Sequence, residues 1–356
     1  MSASRVIVLS NSGELLCGSQ KQLTTTAMAN PIHIGKHVLK SRVLIAPMSG
    51  VTDLPFRKVL HQFEPGLVVS EMVASERLVS GDAENLAKAS GRGYVDPLAI
   101  QLVGRDPHWM GEGAKACEAA GADIIDINMG CPARKVTGAL SGSALMREPK
   151  LALEIIEAVV EAVDVPVTLK MRLGWDHESL NAADIAKSAE DIGIQMFVVH
   201  GRTRCQFYKG EADWVAVSSV VTAVDRPVFV NGDIFDGADA VKAMEESGAD
   251  GVMVGRSLIG RPWDIAEIRA AVDGDSVSQP TLAEKSEIAV AHYRDIHDFY
   301  PEGKAIRFAR KHLAAYCDDA GLSKDDPLRK RVCQGLDAED VAEALSQVFF
   351  QNAVAA

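Results

Sequence analysis

Eight short runs of β-branched and apolar residues, each followed by a stretch with helical spacing, constrain this chain more than any other feature. They lie at 43–48, 67–72, 98–103, 124–128, 166–172, 196–200, 227–231 and 251–255. Successive starts are 24, 31, 26, 42, 30, 31 and 24 residues apart. Most of the runs are continuous rather than alternating, the pattern of strands buried on both faces. Helical stretches at 107–120, 149–163, 180–191 and 236–247 lie between them, and several stop at a glycine, as at Gly121, Gly193 and Gly248. That is C-cap chemistry. Eight β/α units predict an α/β fold, a (β/α)8 TIM barrel. A doubly wound open sheet is the alternative, and the count of eight favours the closed form.

Beyond Pro262 the pattern changes. Residues 273–276 read as a linker, and 281–317 and 337–352 as helices with no further strand. The expected organisation is a disordered leader over 1–30, a barrel over 31–275 and a smaller all-helical domain over 276–356. Hydrophobic residues at 47% and charged residues at 24% exclude disorder as the dominant state. No apolar run approaches the roughly 18 residues of a membrane span. The net charge of −12 argues against a nonspecific nucleic-acid coat, though not against a local basic patch. Cys17, Cys117, Cys131, Cys205, Cys317 and Cys333 form no C-x-x-C pair and no zinc-spaced cluster. No metal is expected, and scattered free thiols read as cytoplasmic.

In a barrel, chemistry collects where strands end at their C-terminal edge. The first run ends in Pro47, Met48 and Ser49, the third carries Gln101, and the fourth ends in Asn128-Met129-Gly130-Cys131-Pro132. The fifth carries Lys170 and Arg172, the sixth ends in His200-Gly201-Arg202, the seventh in Asn231-Gly232-Asp233 and the eighth in Gly255-Arg256. Glycines at the last two positions let backbone N–H groups approach an anion, and Arg256 adds charge, so a phosphate site is expected there. Lys170 and Arg172 alternate with Met171, which turns both cations toward the mouth. A lysine so placed fits a Schiff base, a cation beside a reduced flavin, or a solvated strand end. Cys131, just past the fourth run, is placed to donate a proton to carbon or to act as a nucleophile.

The run from Ala46 to Arg57, Ala-Pro-Met-Ser-Gly-Val-Thr-Asp-Leu-Pro-Phe-Arg, resembles the opening motif of the tRNA-dihydrouridine synthases. Asn128-Met129-Gly130-Cys131-Pro132 looks like their catalytic loop. Lys170-Met171-Arg172, His200-Gly201-Arg202-Thr203, Asn231-Gly232-Asp233 and Gly255-Arg256 follow in the family's order. The resemblance covers about residues 30–320 and is closest to the bacterial DusB branch. It implies FMN in the barrel mouth, reduced by NADPH or NADH. Pro47, Met48 and Ser49 would line its ring, Gln101 its pyrimidine edge, and Lys170 would sit at the ring. His200, Asn231, Gly232, Asp233, Gly255 and Arg256 would hold the ring, the ribityl chain and the phosphate. Hydride would pass from flavin N5 to uracil C6 while Cys131 protonates C5, and Asn128 and Arg172 would read the uracil.

Residues 303–316 contain no acidic residue, and Lys304, Arg307 and Lys311 share one helical face at i, i+3, i+7 spacing. By itself this is a solvated helix face. Beside the resemblance it is an RNA-backbone contact, with tRNA as the partner and no obligate protein partner. Lys324, Arg329, Lys330 and Arg331 form a second basic cluster. The competing function is an FMN-dependent oxidoreductase of a free pyrimidine, like the dihydroorotate and dihydropyrimidine dehydrogenases. Such an enzyme needs no basic helix.

Overall fold

A two-strand hairpin, β1 (His33–Ile34) and β2 (His37–Val38), precedes the first barrel strand and turns on Gly35 at φ +56°. The computed structural model describes residues 31–351 except 139 and 302, so the expected leader over 1–30 lies outside the described residues. The barrel strands are β3 (Val43–Ile45), β4 (Leu67–Val68), β5 (Val73–Ala74), β6 (Ala99–Val103), β7 (Ile124–Met129), β8 (Val167–Arg172), β9 (Phe197–His200), β10 (Val228–Asn231) and β11 (Gly251–Val254). All pair in parallel, in the order β4-β3-β11-β10-β9-β8-β7-β6-β5.

The second expected strand, 67–72, keeps its ladder only in β4 at its start, and β5 follows just beyond its end. The Val69–Ala99 bridge joins its middle to β6 and closes the ring, so nine strands among the described residues make eight staves. The break has a local cause. The Gln101 N–H bonds to the Ser70 hydroxyl at 3.0 Å rather than to a carbonyl, which interrupts the ladder.

Helices α1 (Leu54–His61), α2 (Ser75–Val79), α3 (Ala83–Ala89), α4 (Pro107–Ala119), α5 (Arg134–Thr137), α6 (Pro149–Ala162), α7 (Ala182–Ile192), α8 (Trp214–Ala223), α9 (Gly237–Ser247) and α10 (Asp264–Asp273) lie between or after the strands. Aspartates cap α1, α4, α8 and α9, each accepting a backbone N–H three residues on. Gly248 ends α9 in the left-handed region, φ +70°, as a C-cap glycine does.

Strand alternation sorts the barrel into two cores. Val43, Ile45, Val68, Ile100, Ile125, Ile127, Leu169, Val199 and Val230 face outward and pack under the helices. Leu44, Leu67, Ala99, Ile124, Met196, Phe229 and Met253 face inward and pack with Ile32 and Ile34 of the hairpin segment. Higher along the same inward columns the residues turn polar: Gln101, Asp126, Asn128, Thr168, Lys170, Arg172, His200 and Asn231, all buried. The apolar interior thus fills the N-terminal half and leaves the polar groups to the C-terminal mouth.

Helices α11 (Leu282–Phe299), α12 (Ala305–Asp319), α13 (Pro327–Gln334) and α14 (Ala338–Gln347) follow. The single expected helical stretch 281–317 is two helices, separated by a segment containing Pro301. This region has its own core of Ala289, Tyr293, Leu313, Tyr316, Leu345 and Phe349, and it recruits Trp263, which precedes residue 276. Contacts to the barrel include the Lys58–Asp295 ion pair at 2.7 Å and a Tyr300 hydroxyl that donates to Asp53 at 3.0 Å. No helix of the described residues is long and apolar enough to cross a membrane.

Candidate active site

A cavity of about 480 Å³ opens at the C-terminal mouth of the barrel, within the range of ligand and cofactor sites. Thirteen of the residues singled out from sequence line it: Pro47, Met48, Ser49, Asn128, Cys131, Lys170, Arg172, His200, Asn231, Gly232, Asp233, Gly255 and Arg256. They come from six different loops or strands, and parallel register brings them together. Asn128 stands beside Lys170, Arg172 beside His200, and His200 beside Asn231 on neighbouring strands.

The mouth is strongly cationic in an acidic protein. Lys170 Nζ donates to Asn231 Oδ1 at 2.8 Å, and burial pushes its ammonium down to about 8. Arg172 is held by three backbone carbonyls: Nε to Gly130 at 2.8 Å, and Nη1 to Thr203 and Phe207 at 2.9 Å each. Arg256 stands exposed, 4.8 Å from the centroid of the Tyr208 ring. Burial, then Arg172, Lys170, Arg202 and Arg256, hold the His200 imidazole well below its ordinary value, so it is neutral. The lining carboxylate, Asp233, accepts from Arg202 at 2.5 Å and from the Ala212 N–H at 2.8 Å. Its charge is thereby cancelled, while the cations of Lys170, Arg172 and Arg256 remain.

Backbone shape also sets the cavity wall at the ends of β10 and β11. Gly232 adopts φ +112°, and a Cβ there would come within 2.8 Å of the His200 ring. Only glycine allows both that conformation and that approach. Gly255 leads into the short 3-10 helix Arg256–Leu258.

Cys131 follows β7 on a loop that folds back over it. Its N–H bonds Asn128 Oδ1 at 3.0 Å, and its carbonyl accepts from the Ser143 hydroxyl at 2.8 Å. Burial pushes the thiol up, against smaller opposing effects of the Ala133 N–H, Arg172 and Lys170. A thiol so placed is protonated at neutral pH. Cys117, by contrast, is buried in the outer core.

Two expectations fare differently. Gln101 does not line the cavity. It is fully buried beneath it, with Nε2 donating to Asp126 and Oε1 accepting from Asn128, both at 2.6 Å. Lys311 leaves the row of exposed cations. It is half-buried beside Gly50, facing Asp53 and Glu71, and a Cβ on Gly50 would lie 3.5 Å from its Nζ. Lys304, Arg307 and Arg310 stay exposed and form no ion pair among the described residues. Three of the four cations of the second basic cluster are paired: Arg329 with Asp318 at 2.5 Å, Lys330 with Asp325 at 3.5 Å, and Arg331 with Asp340 at 2.6 Å and Glu343 at 2.8 Å; the fourth, Lys324, is exposed.

Sequence reasoning missed Asp126, Thr168 and Tyr208, and it named Arg202 at the end of the sixth run without assigning it the Asp233 partner. Asp126 and Thr168 were visible as polar residues inside apolar runs, the signal that a buried strand carries something to be satisfied. Tyr208 lies on a loop with no periodic signature.

A family model of the dihydrouridine synthases matches residues 44–354. The chain belongs to the dihydrouridine synthase family. A Rhodobacter capsulatus protein named as a probable tRNA-dihydrouridine synthase is 50% identical over 315 residues, 88% of this chain and 96% of that one. A Rhizobium leguminosarum protein of the same name is 52% identical, covering 79% of this synthase and 86% of its own length. The tRNA-dihydrouridine synthase B of Proteus vulgaris is 42% identical over 90% of this chain and 99% of that protein. Among solved structures, histamine dehydrogenase from a Rhizobium species superposes with a TM-score of 0.52 at 14% identity. It covers 75% of this chain and 50% of that one, a likeness of fold alone.

Proposed function

We propose that this dihydrouridine synthase reduces the C5–C6 double bond of particular uridines in tRNA, with FMN resident in the barrel mouth. The single observation that carries the reading is a cationic cavity with its one lining carboxylate cancelled, lined on one side by a protonated cysteine. FMN suits that chemistry, because it brings a phosphate and a ring that becomes anionic on reduction. Bound and reduced by NADPH or NADH, FMN would supply the hydride for uracil C6. Gly232, Gly255, Arg256 and the Asp233 backbone would receive the phosphate. Pro47, Met48 and Ser49 would line the ring, with Lys170, His200 and Asn231 at its polar edges. Gln101 supports the site from beneath.

Cys131 hands its proton to C5, which its raised pKa permits. Asn128 and Arg172 meet the polar edge of the base. The target uridine must leave its stack to enter, at a cost of a few kcal/mol. Lys304 and Arg307, with the neighbouring Arg310, offset that cost by contacts to RNA phosphates. Lys311 helps dock α12 on the barrel.

The test is to purify the protein and to map dihydrouridine in RNA from a strain lacking the gene. A yellow protein and the loss of dihydrouridine at defined tRNA positions are expected. A colourless protein, or an unchanged dihydrouridine map, overturns the reading.

A further inference from the structure

Beneath the cavity runs an unbroken chain of buried hydrogen bonds. Thr168 Oγ1 donates to Asp126 Oδ1 at 2.6 Å, and Gln101 Nε2 donates to Asp126 Oδ2 at 2.6 Å. Asn128 Nδ2 donates to Gln101 Oε1 at 2.6 Å. Asn128 Oδ1 accepts the N–H groups of Gly130 at 3.2 Å and Cys131 at 3.0 Å. Sheet register sets Gln101 beside Asp126 and Asp126 beside Thr168 in one layer of the barrel. Asp126, Gln101 and Thr168 are each at most 1% exposed.

A terminal amide is ambiguous in direction, because its oxygen and nitrogen have nearly the same shape. A carboxylate is not, since when ionised it only accepts. Asp126 therefore forces Gln101 to turn its NH2 down and its oxygen up. That oxygen then requires the NH2 of Asn128, whose own oxygen meets the backbone N–H groups of Gly130 and Cys131; these can only donate, so the loop end of the chain demands the same direction that Asp126 sets from below. Asn128 has a second N–H with no acceptor among the described residues, on a side chain that lines the cavity.

We propose that Asp126 is a positioning residue that fixes the polarity of the Gln101 and Asn128 amides, so that the cavity meets the base with an N–H donor and selects the carbonyl of uracil over the exocyclic amine of cytosine. The selection rests on the functional reading above; the chain's polarity does not. A site built around a buried donor rejects a donor-bearing analogue, because both groups are left unpaired.

The polarity can be reversed without changing net charge. Asn128→Asp alone sets a carboxylate against the Gln101 oxygen, or, if Gln101 turns over, sets that oxygen against Asp126. Adding Asp126→Asn lets Gln101 turn over with every bond in the chain remade. The expected order of Tm is wild type, then Asp126→Asn, then the double variant, with Asn128→Asp lowest. The double variant should regain about 2 °C or more over Asn128→Asp. It should also lose uridine reduction by about tenfold or more, because its donor into the cavity is gone. A companion pair covers the case in which Asn128→Asp does not fold. Gln101→Glu with Asp126→Asn satisfies the same chain but leaves the Asn128 donor in place, so stability and uridine reduction should both recover over Gln101→Glu alone.

A further loss of Tm when Asp126→Asn is added to either partner overturns the polarity argument. Wild-type uridine turnover by the double variant at 126 and 128 overturns the donor assignment. The Tm series is blind to substrate, so a wild-type protein that fails to reduce uridine would overturn the functional reading and leave the chain's polarity to be decided by Tm.

Discussion

The barrel mouth and the outer helices both carry clusters of cations, but the two regions hold them by different means. At the mouth, Lys170 and Arg172 are set by strand register and pinned by neutral partners, Asn231 and backbone carbonyls, so their charge remains available. On α13, Arg329 and Arg331 are as prominent in the sequence, yet each is matched to a carboxylate. The helix α12 and its N-cap divide: Lys304 and Arg307 form no ion pair among the described residues, while Lys311 turns toward Asp53 and Glu71. A count of basic residues is therefore a poor guide to function. What matters is whether the partner is a dipole, which leaves the charge, or a carboxylate, which removes it.

The comparison breaks most sharply at Cys131, where chemistry and binding separate. Cys131→Ala should cost about 100-fold or more in dihydrouridine formation, the range of a lost general acid, with flavin content and RNA affinity unchanged. Single-turnover rates and a gel-shift titration check this; a variant with normal rates removes the cysteine from its role. A smaller effect tests the helices against each other. Lys304→Glu with Arg307→Glu should weaken RNA binding and reduce the dependence of log Kd on log salt by about two contacts' worth. Arg329→Glu with Arg331→Glu should leave RNA affinity within about twofold and lower Tm instead. Equal loss of affinity in both pairs would show that ion pairing on α13 does not decide which cations reach RNA.

How far the sequence foretells each region follows from the same contrast. A strand has a period of two, so placing Met171 outward places Lys170 and Arg172 inward, and parallel pairing then converges eight strand ends on one mouth. Thirteen lining residues were legible on that basis. Gln101, which the resemblance sets at the edge of a ring, lies on an inward column beneath the cavity; strand periodicity gives the face of a residue and not its depth. Helical spacing put Lys304, Arg307 and Lys311 on one face, and so they are. What it does not contain is the neighbour: that Asp53 and Glu71 of the barrel lie against the end of that face is a fact of docking. Likewise the ion pair of Arg331 with Asp340 joins two helices whose packing no local pattern specifies. The split of the second stave was hidden too, because Ser70 acts through Gln101 on a neighbouring strand.

The smallest effect bears on how a charge is kept available. Burial lowers Lys170 to about 8 in the absence of an anion, with Arg172 adding to the shift and Asp126 opposing it. An anion bound beside it favours the ammonium, so the lysine's pKa is higher in the complex than in the free protein. The sign follows from linkage: affinity is greatest where the free protein is already protonated, and it falls as pH rises through 8 toward the higher value of the complex. Flavin titrations by fluorescence at pH 7 and pH 9 should show a Kd weaker by up to about tenfold at the higher pH. Lys170→Met should bind more weakly at pH 7 and lose most of that pH dependence. If it keeps the full dependence, the titrating group lies elsewhere, and the cations of the mouth are no better placed to answer a ligand than the paired arginines of α13.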